Sequence, residues 1–225
     1  CDRNFIGCDQ LIFIEKDEAT DARLKFFNSD GGESGACGNG TRCVADLISK
    51  ENGKKNIILT TLSGNLKSEI LENNLVTTEI GKAKTKWNEI PLSNELNTLN
   101  LNIKINDKKN NEHFGGTAVN VGNPHIIFFV DELQNFDVSI IGPQLEIHKI
   151  FPEKCNVTIA QIINKNLIKV KVWERGAGLT KACGTAACAT AFAGTLNKFT
   201  ENNTDIEFET GKLSIFIDDN KSIHM

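Results

Sequence analysis

Two cysteines share one small-residue setting: Cys37 in SGACGNGTRC (Ser34–Cys43) and Cys183 in TKACGTAAC (Thr180–Cys188). Each follows an alanine and precedes a glycine at what reads as a helix start. A thiol placed there faces the unpaired amides of the first helical turn, which lower its pKa toward neutrality and make the thiolate available as base or nucleophile. Gly38 and Gly184 let a ligand approach the backbone closely, and Asn39 and Thr185 follow, the latter with a hydroxyl donor. One such site suits a nucleophile; two suggest a paired role. Two further signals are VGNPH (Val121–His125), where the Asn-Pro turn sets Asn123 beside His125, and ERG (Glu174–Gly176) at the end of an apolar run. An arginine there can clamp a carboxylate with two hydrogen bonds, and a glutamate can hold an ammonium. Taken singly, a turn with a satisfied histidine and a solvated ion pair are the plainer readings.

The cysteines have competing readings. Cys1, Cys8, Cys43, Cys155 and Cys188 read as packing residues, since cysteine is among the most buried types. Polar, glycine-rich lead-ins set Cys37 and Cys183 apart. A zinc site fits poorly, because Cys37/Cys43 and Cys183/Cys188 are spaced more widely than a zinc knuckle and do not share a helix face. No metal is expected.

Elements that could carry these groups follow from the apolar pattern. Runs rich in Val, Ile, Phe and Thr predict strands at Leu11–Glu15, Asn56–Thr61, Leu75–Ile80, Leu101–Ile105, His125–Val130, Cys155–Ile163, Leu167–Trp173, Ile206–Glu209 and Leu213–Ile217. Asn and Gly punctuation, as at Glu72-Asn73-Asn74, marks hairpins. Helices are predicted over Asn39–Lys50, ending near Gly53, over Thr185–Asn197, and over Val138–His148, where Gly142-Pro143 interrupts. The class is α+β, with strands in the majority. Both halves run strands, polar glycine-rich loop, Ala-Cys-Gly, helix, strands, and Asn28 and Glu174 precede their cysteines by the same distance. Two like domains, 1–116 and 117–225, are the leading architecture.

Bulk properties narrow the partners. With 225 residues, 40% hydrophobic, a net charge of −4 and a pI near 5.7, the chain has core-building capacity but no electrostatic footprint for nucleic acid. No apolar run approaches the roughly 20 residues of a membrane span. A small-molecule substrate is the remaining default. Seven cysteines, spread unlike a secreted disulfide framework, fit reduced thiols in a cytoplasmic protein.

Together, GCDQ (Gly7–Gln10), FNSDGGESGACGNGTRC (Phe27–Cys43), NVGNPH (Asn120–His125), CNVTIAQI (Cys155–Ile162) and WERGAGLTKACGTAACA (Trp173–Ala189) resemble the diaminopimelate epimerases over essentially the whole chain. Proline racemases share the two-cysteine plan, but typically show histidine at the position of Asn39 and lack the ERG lead-in. The resemblance implies two similar halves, each a curved mixed or antiparallel sheet or barrel around a central helix, with the site in the cleft between them. It implies interconversion of L,L- and meso-diaminopimelate for lysine and peptidoglycan precursors, with no pyridoxal phosphate or metal as cofactor. Cys37 and Cys183 would be the acid/base pair. Gln10, Asn28, Asn123, Asn156, Glu174 and Arg175 match substrate-contacting positions. Gly38, Asn39, Gly184 and Thr185 match helix-start groups that hold the reacting carboxylate, and His125 matches a histidine beside the cysteines. Family members commonly pair, which leaves a homodimer open to this chain. The family also usually carries a GxGNDF-type segment and a closing TGPA and strand, so the chain looks like a fragment lacking both ends.

Inverting a stereocentre by proton transfer needs one base on each face of the α-carbon. Near-attack contact then sets the sulfurs about 6–7 Å apart around a substrate. The same geometry predicts that oxidation of an empty site closes them into a disulfide. Two other readings are a binding module without catalysis, which has no need of a thiol pair, and a racemase of another amino acid.

Overall fold

The computed structural model describes residues 7–8, 10–28, 31–35 and 37–225; the packing role expected of Cys1 lies outside them. Two compact units are present, the first ending at Ile80 and the second starting at Gly81. The first contains β1 (Gln10–Glu15), β2 (Ala22–Asn28), β3 (Glu33–Ser34), α1 (Gly38–Asn52), β4 (Asn56–Thr61), β5 (Gly64–Ile70) and β6 (Val76–Lys82), which runs just past the boundary. Strand β2 pairs antiparallel with β1 and β3 but parallel with β4, and α1 makes the crossover. Strands β4, β5 and β6 continue as an antiparallel meander. The period-2 pattern of β2 and β4 turns Ala22, Leu24, Phe26, Ile57 and Leu59 inward, where Val44 and Ala45 of α1 meet them. Gly53 caps α1 in the left-handed conformation at φ 75°, its N–H bonding Ser49 O, as the sequence predicts.

The second unit contains β7 (Ile103–Asn106), β8 (Glu112–Gly115), β9 (Thr117–Asn120), β10 (Pro124–Val130), α2 (Val138–Glu146), β11 (Asn156–Asn164), β12 (Leu167–Glu174), β13 (Gly178–Thr180), α3 (Gly184–Leu196), β14 (Asn203–Phe208), β15 (Gly211–Ile217) and β16 (Ser222–His224). Strand β12 pairs antiparallel with β11 and β13 but parallel with β14, with α3 as the crossover. Strands β14, β15 and β16 again form a meander. The run β11 to β16 therefore repeats the pairing of β1 to β6 step for step, the physical form of the weak internal echo in the sequence. Strands β9 and β10 extend the sheet on the β11 side, and β7 and β8 form a separate hairpin.

The two-halves architecture is what the sequence implies, with differences in detail. The expected division after residue 116 concerns like halves; in compactness, residues from Gly81 onward join the second unit. Ile90, Leu92, Ile103 and Ile105 share one core with Ile126, Phe128, Ile141 and Leu145. Helix α2 runs through Pro143 rather than breaking there, with Asp137 Oδ1 accepting from Ser139 N at 3.0 Å as its N-cap. Helix α3 is buried from Ala186 to Gly194, with strands β9 to β11 and β14 to β16 packed on it, so Cys188 is a packing residue. Helix α1 is covered on one face only, and Cys43, expected to pack behind Cys37, lies on the exposed face. No helix among the described residues is long and apolar enough to cross a membrane.

Candidate active site

Cys37 and Cys183 occupy the same structural position. Each is the N-cap of its helix in extended backbone, at φ −140°, ψ 107° and φ −142°, ψ 116°. Intrahelical bonding begins with Thr41 N to Cys37 O at 2.8 Å and Ala187 N to Cys183 O at 3.0 Å, so the amides of Gly38, Asn39, Gly184 and Thr185 have no intrahelical acceptor. Gly40 N donates to Cys37 Sγ at 3.4 Å, and a Cβ on Gly40 would meet Ile12 Cδ1 at 2.7 Å and Phe26 Cε1 at 3.1 Å. That missing Cβ lets the first turn of α1, with its half-buried thiol, sit on β1 and β2.

In the second unit the Thr185 hydroxyl lies 3.4 Å from Cys183 Sγ. The sequence predicts a lowered thiol pKa at both helix starts, but Cys183 goes the other way. Burial raises it most, the neighbouring Glu174 carboxylate raises it further, and the Thr185 hydroxyl and Ala186 amide oppose only in part. Cys183 is a neutral thiol at physiological pH, with an acceptor carboxylate beside it.

The polar candidates cluster at strand ends. Gln10 opens β1 and Asn28 closes β2, in register, with Gln10 Nε2 donating to Asn28 Oδ1 at 2.9 Å. Asn156 opens β11 and Glu174 closes β12, the matching places in the second unit. Arg42 Nη2 donates to Asn39 Oδ1 at 2.9 Å, which fixes the orientation of that amide.

His125, at the start of β10, is fully buried, and its Nε2–H donates to Asn123 Oδ1 at 2.9 Å. Its Nδ1 is a buried acceptor without a hydrogen-bond partner among the described residues. Burial, helped by the positive charge of Arg175, lowers its pKa from 6.5 to about 3, so the imidazole is neutral.

Buried Asn156 ties strand starts to a turn: its Nδ2 donates to Pro124 O at 3.0 Å and its Oδ1 accepts from Arg175 N at 3.0 Å. Arg175 is exposed, with Nη1 on Glu153 O at 2.8 Å. Ala177 N closes the Glu174–Ala177 turn on Glu174 O at 3.1 Å, and Gly176 takes φ 76° there. Sequence reasoning missed what lies under this turn. Glu146, near the end of α2 and almost buried, accepts from Trp173 Nε1 at 2.7 Å and from Gly176 N at 3.2 Å. Gly142, one helical turn earlier on the same face, leaves room for the Trp173 ring. The spacing of Gly142 and Glu146 is legible in GPQLE, but their partner is not. Cys155 is buried with Sγ donating to Leu145 O at 3.4 Å, and burial and Glu146 push its thiol well up, in keeping with a packing role.

Comparison with known proteins bears on the whole arrangement. A family model described as diaminopimelate epimerase matches residues 1–86 and 117–225. A diaminopimelate epimerase of Pelagibacter ubique (strain HTCC1062) is 67% identical over 225 residues, all of this chain and 82% of that protein. One from Caulobacter sp. (strain K31) is 41% identical over 93% of this chain and 74% of its own. Among solved structures, a hydroxyproline epimerase from Agrobacterium vitis aligns with TM-score 0.63 at 12% identity, covering 96% of this chain and 70% of that one. A phenazine biosynthesis protein from Bacillus anthracis gives 0.64 at 16%, covering 97% and 81%. At such identities these two speak for the fold alone.

Proposed function

This chain belongs to the diaminopimelate epimerase family, and on that premise we propose that it interconverts L,L- and meso-diaminopimelate by a two-base proton transfer between thiols. The observation that carries this reading is the duplicated placement of Cys37 and Cys183 as N-caps in units of the same pairing order. Two thiols, each at a helix start with open amides, are what proton transfer on both faces of one α-carbon requires.

In the mechanism, one sulfur as thiolate removes the α-proton while the other, as thiol, returns a proton from the opposite face. Cys183, neutral and beside Glu174, is suited to enter as the thiol, and Glu174 to take up its proton when the direction reverses. Charge built on the substrate carboxylate is met by the amides of Gly38, Asn39, Gly184 and Thr185 and by the Thr185 hydroxyl. Gln10, Asn28, Asn123 and Asn156 supply amides for the rest of the substrate. Glu174 and Arg175 carry charges complementary to an ammonium and a carboxylate. His125 lines the site as a neutral group, its bare Nδ1 able to accept a proton donor.

The chemistry asks nothing of a cofactor or metal. We further propose a cytoplasmic protein, because its seven cysteines are spread unlike a secreted disulfide framework. Its acidic balance disfavours nucleic acid, and pairing into a homodimer, as is common in the family, is checked by light scattering. A second half beginning at 117, as in a division after residue 116, is supported by the family match, which breaks at 86 and resumes at 117.

Incubation with diaminopimelate in heavy water tests the reading, because deuterium enters the α-carbon only if catalysis occurs. Replacing Cys37 or Cys183 alone by Ala should cut turnover by at least about 10²–10⁴-fold. Near-normal turnover in either variant would sink the two-base scheme. Deuteration of another amino acid in place of diaminopimelate would move the substrate assignment.

A further inference from the structure

The Glu174-Arg175 pair is held from beneath by one carboxylate. Glu146 grips the chain on both sides of the pair, through the Trp173 indole N–H at 2.7 Å ahead of it and the Gly176 amide at 3.2 Å behind it. Between these points Asn156 holds the Arg175 amide at 3.0 Å, and the Arg175 guanidinium is drawn to Glu153 O. Two N–H donors converge on the two oxygens of Glu146. A carboxylate satisfies both, whereas an amide would turn its own NH2 against one of them. Lys154 Nζ, 3.9 Å from Oε1, gives only a loose counter-charge. A nearly buried carboxylate with so little ionic compensation is costly, and the two N–H bonds it accepts offset that cost. Its value lies in what it fixes.

We propose that Glu146 is a positioning residue, which holds the Glu174–Gly176 turn so that the Glu174 carboxylate stays against the Cys183 thiol. This deepens the function proposed above and rests on it for the meaning of that contact, although the contact itself is independent of any substrate. Helix α2 is shaped for this role, since Gly142 admits the ring of Trp173 and Glu146 one turn later receives its N–H. All of these groups belong to the second unit.

The test reads the thiol directly. Iodoacetamide labelling of Cys183, followed peptide by peptide in the substrate-free chain, measures how readily its thiolate forms. Glu174 raises the Cys183 pKa while Glu146 is not among the groups that shift it, so an effect of Glu146 on this thiol must pass through Glu174. Glu146→Gln should speed Cys183 labelling at fixed pH by about three- to tenfold, the effect of half to one pKa unit. Glu174→Gln should do the same, and the double variant should be no faster than either. Glu146→Asp keeps the charge but cannot span both donors, so it should show the same rise if the glutamine variant fails to fold.

An unchanged Cys183 rate in folded Glu146→Gln or Glu146→Asp overturns the proposal. So does a double variant in which the two single effects multiply. An equal rise at Cys188, buried in α3, would mean general loosening and would also overturn it. Because no substrate is present, the result stands whether or not diaminopimelate is turned over.

Discussion

A fully buried imidazole with its pKa lowered to about 3 ties the site to pH. Unfolding returns His125 to its ordinary value of 6.5, so at pH values between the two the unfolded chain binds the extra proton. The contribution of His125 is therefore fully present above pH 6.5 and is lost as pH falls toward 3. Between pH 6.5 and 5 the loss should be about 2 kcal/mol, at 1.36 kcal/mol per unit. Asp107, whose carboxyl is held at about 2 chiefly by Asn111, titrates below that window. His148, lowered by burial and Lys149, adds a slope of the same sense, so the comparison must be with His125→Gln. Urea unfolding at pH 7 and pH 5 should show the variant losing less than the parent. Equal slopes would mean that the imidazole is hydrated or paired in solution. At this scale Cys37, Cys183 and His125 were legible because each sits in a local motif. The raised pKa of Cys183 was not, since it comes from burial and from Glu174, which a helix-start argument ignores. Glu146 was hidden because its partners lie 27 and 30 residues away.

Among the elements, α2 is the one whose sequence most understates its role. Gly142 reads as a helix weakener beside a proline, yet a Cβ there would lie 2.5 Å from Trp173 Cβ and 2.7 Å from Cδ2. Gly142→Ala should cost about 1–3 kcal/mol by overpacking, as measured by chemical denaturation. An unaltered midpoint would show that α2 can slide off β12. Strands such as β12, with Ile168, Val170 and Val172 turned inward, were easy to read. Strands β2 and β5 were not, because ARLKFFN and GNLKSEI carry charges on their outer faces and offer no long apolar run. The misplacement of Cys43 has a similar origin. Its motif is like that of Cys188, but α3 is buried all round and α1 is not, and only tertiary packing distinguishes them.

For the whole molecule, the paired role assigned to the thiols makes a prediction that neither unit makes alone. If Cys37 and Cys183 serve one α-carbon, mild oxidation of the substrate-free chain should join them, and diaminopimelate should protect them. Peptide mapping after oxidation reads this directly. A Cys37–Cys183 peptide is expected, and crosslinks confined to Cys8 or Cys43 would count against a shared substrate. The two-halves plan was visible in the sequence as a repeated Ala-Cys-Gly with matched lead-ins. The repeat of strand pairing behind it was not, because parallel partners such as β2 and β4 are set by the crossover rather than by any local pattern.

The division of labour between strand ends and helix starts has an evolutionary consequence. The sulfurs hang on helices anchored by packing, α1 with Gly40 at its first turn, while Gln10, Asn28, Asn156 and Glu174 stand at the tips of sheet strands. Exchanging Gln10 or Asn28, whose side chains bond each other across β1 and β2, alters what is gripped without disturbing the backbone that carries either thiol. Selection can therefore explore new ligands on this scaffold by small steps at those two tips, each leaving both thiols and Glu174 in place.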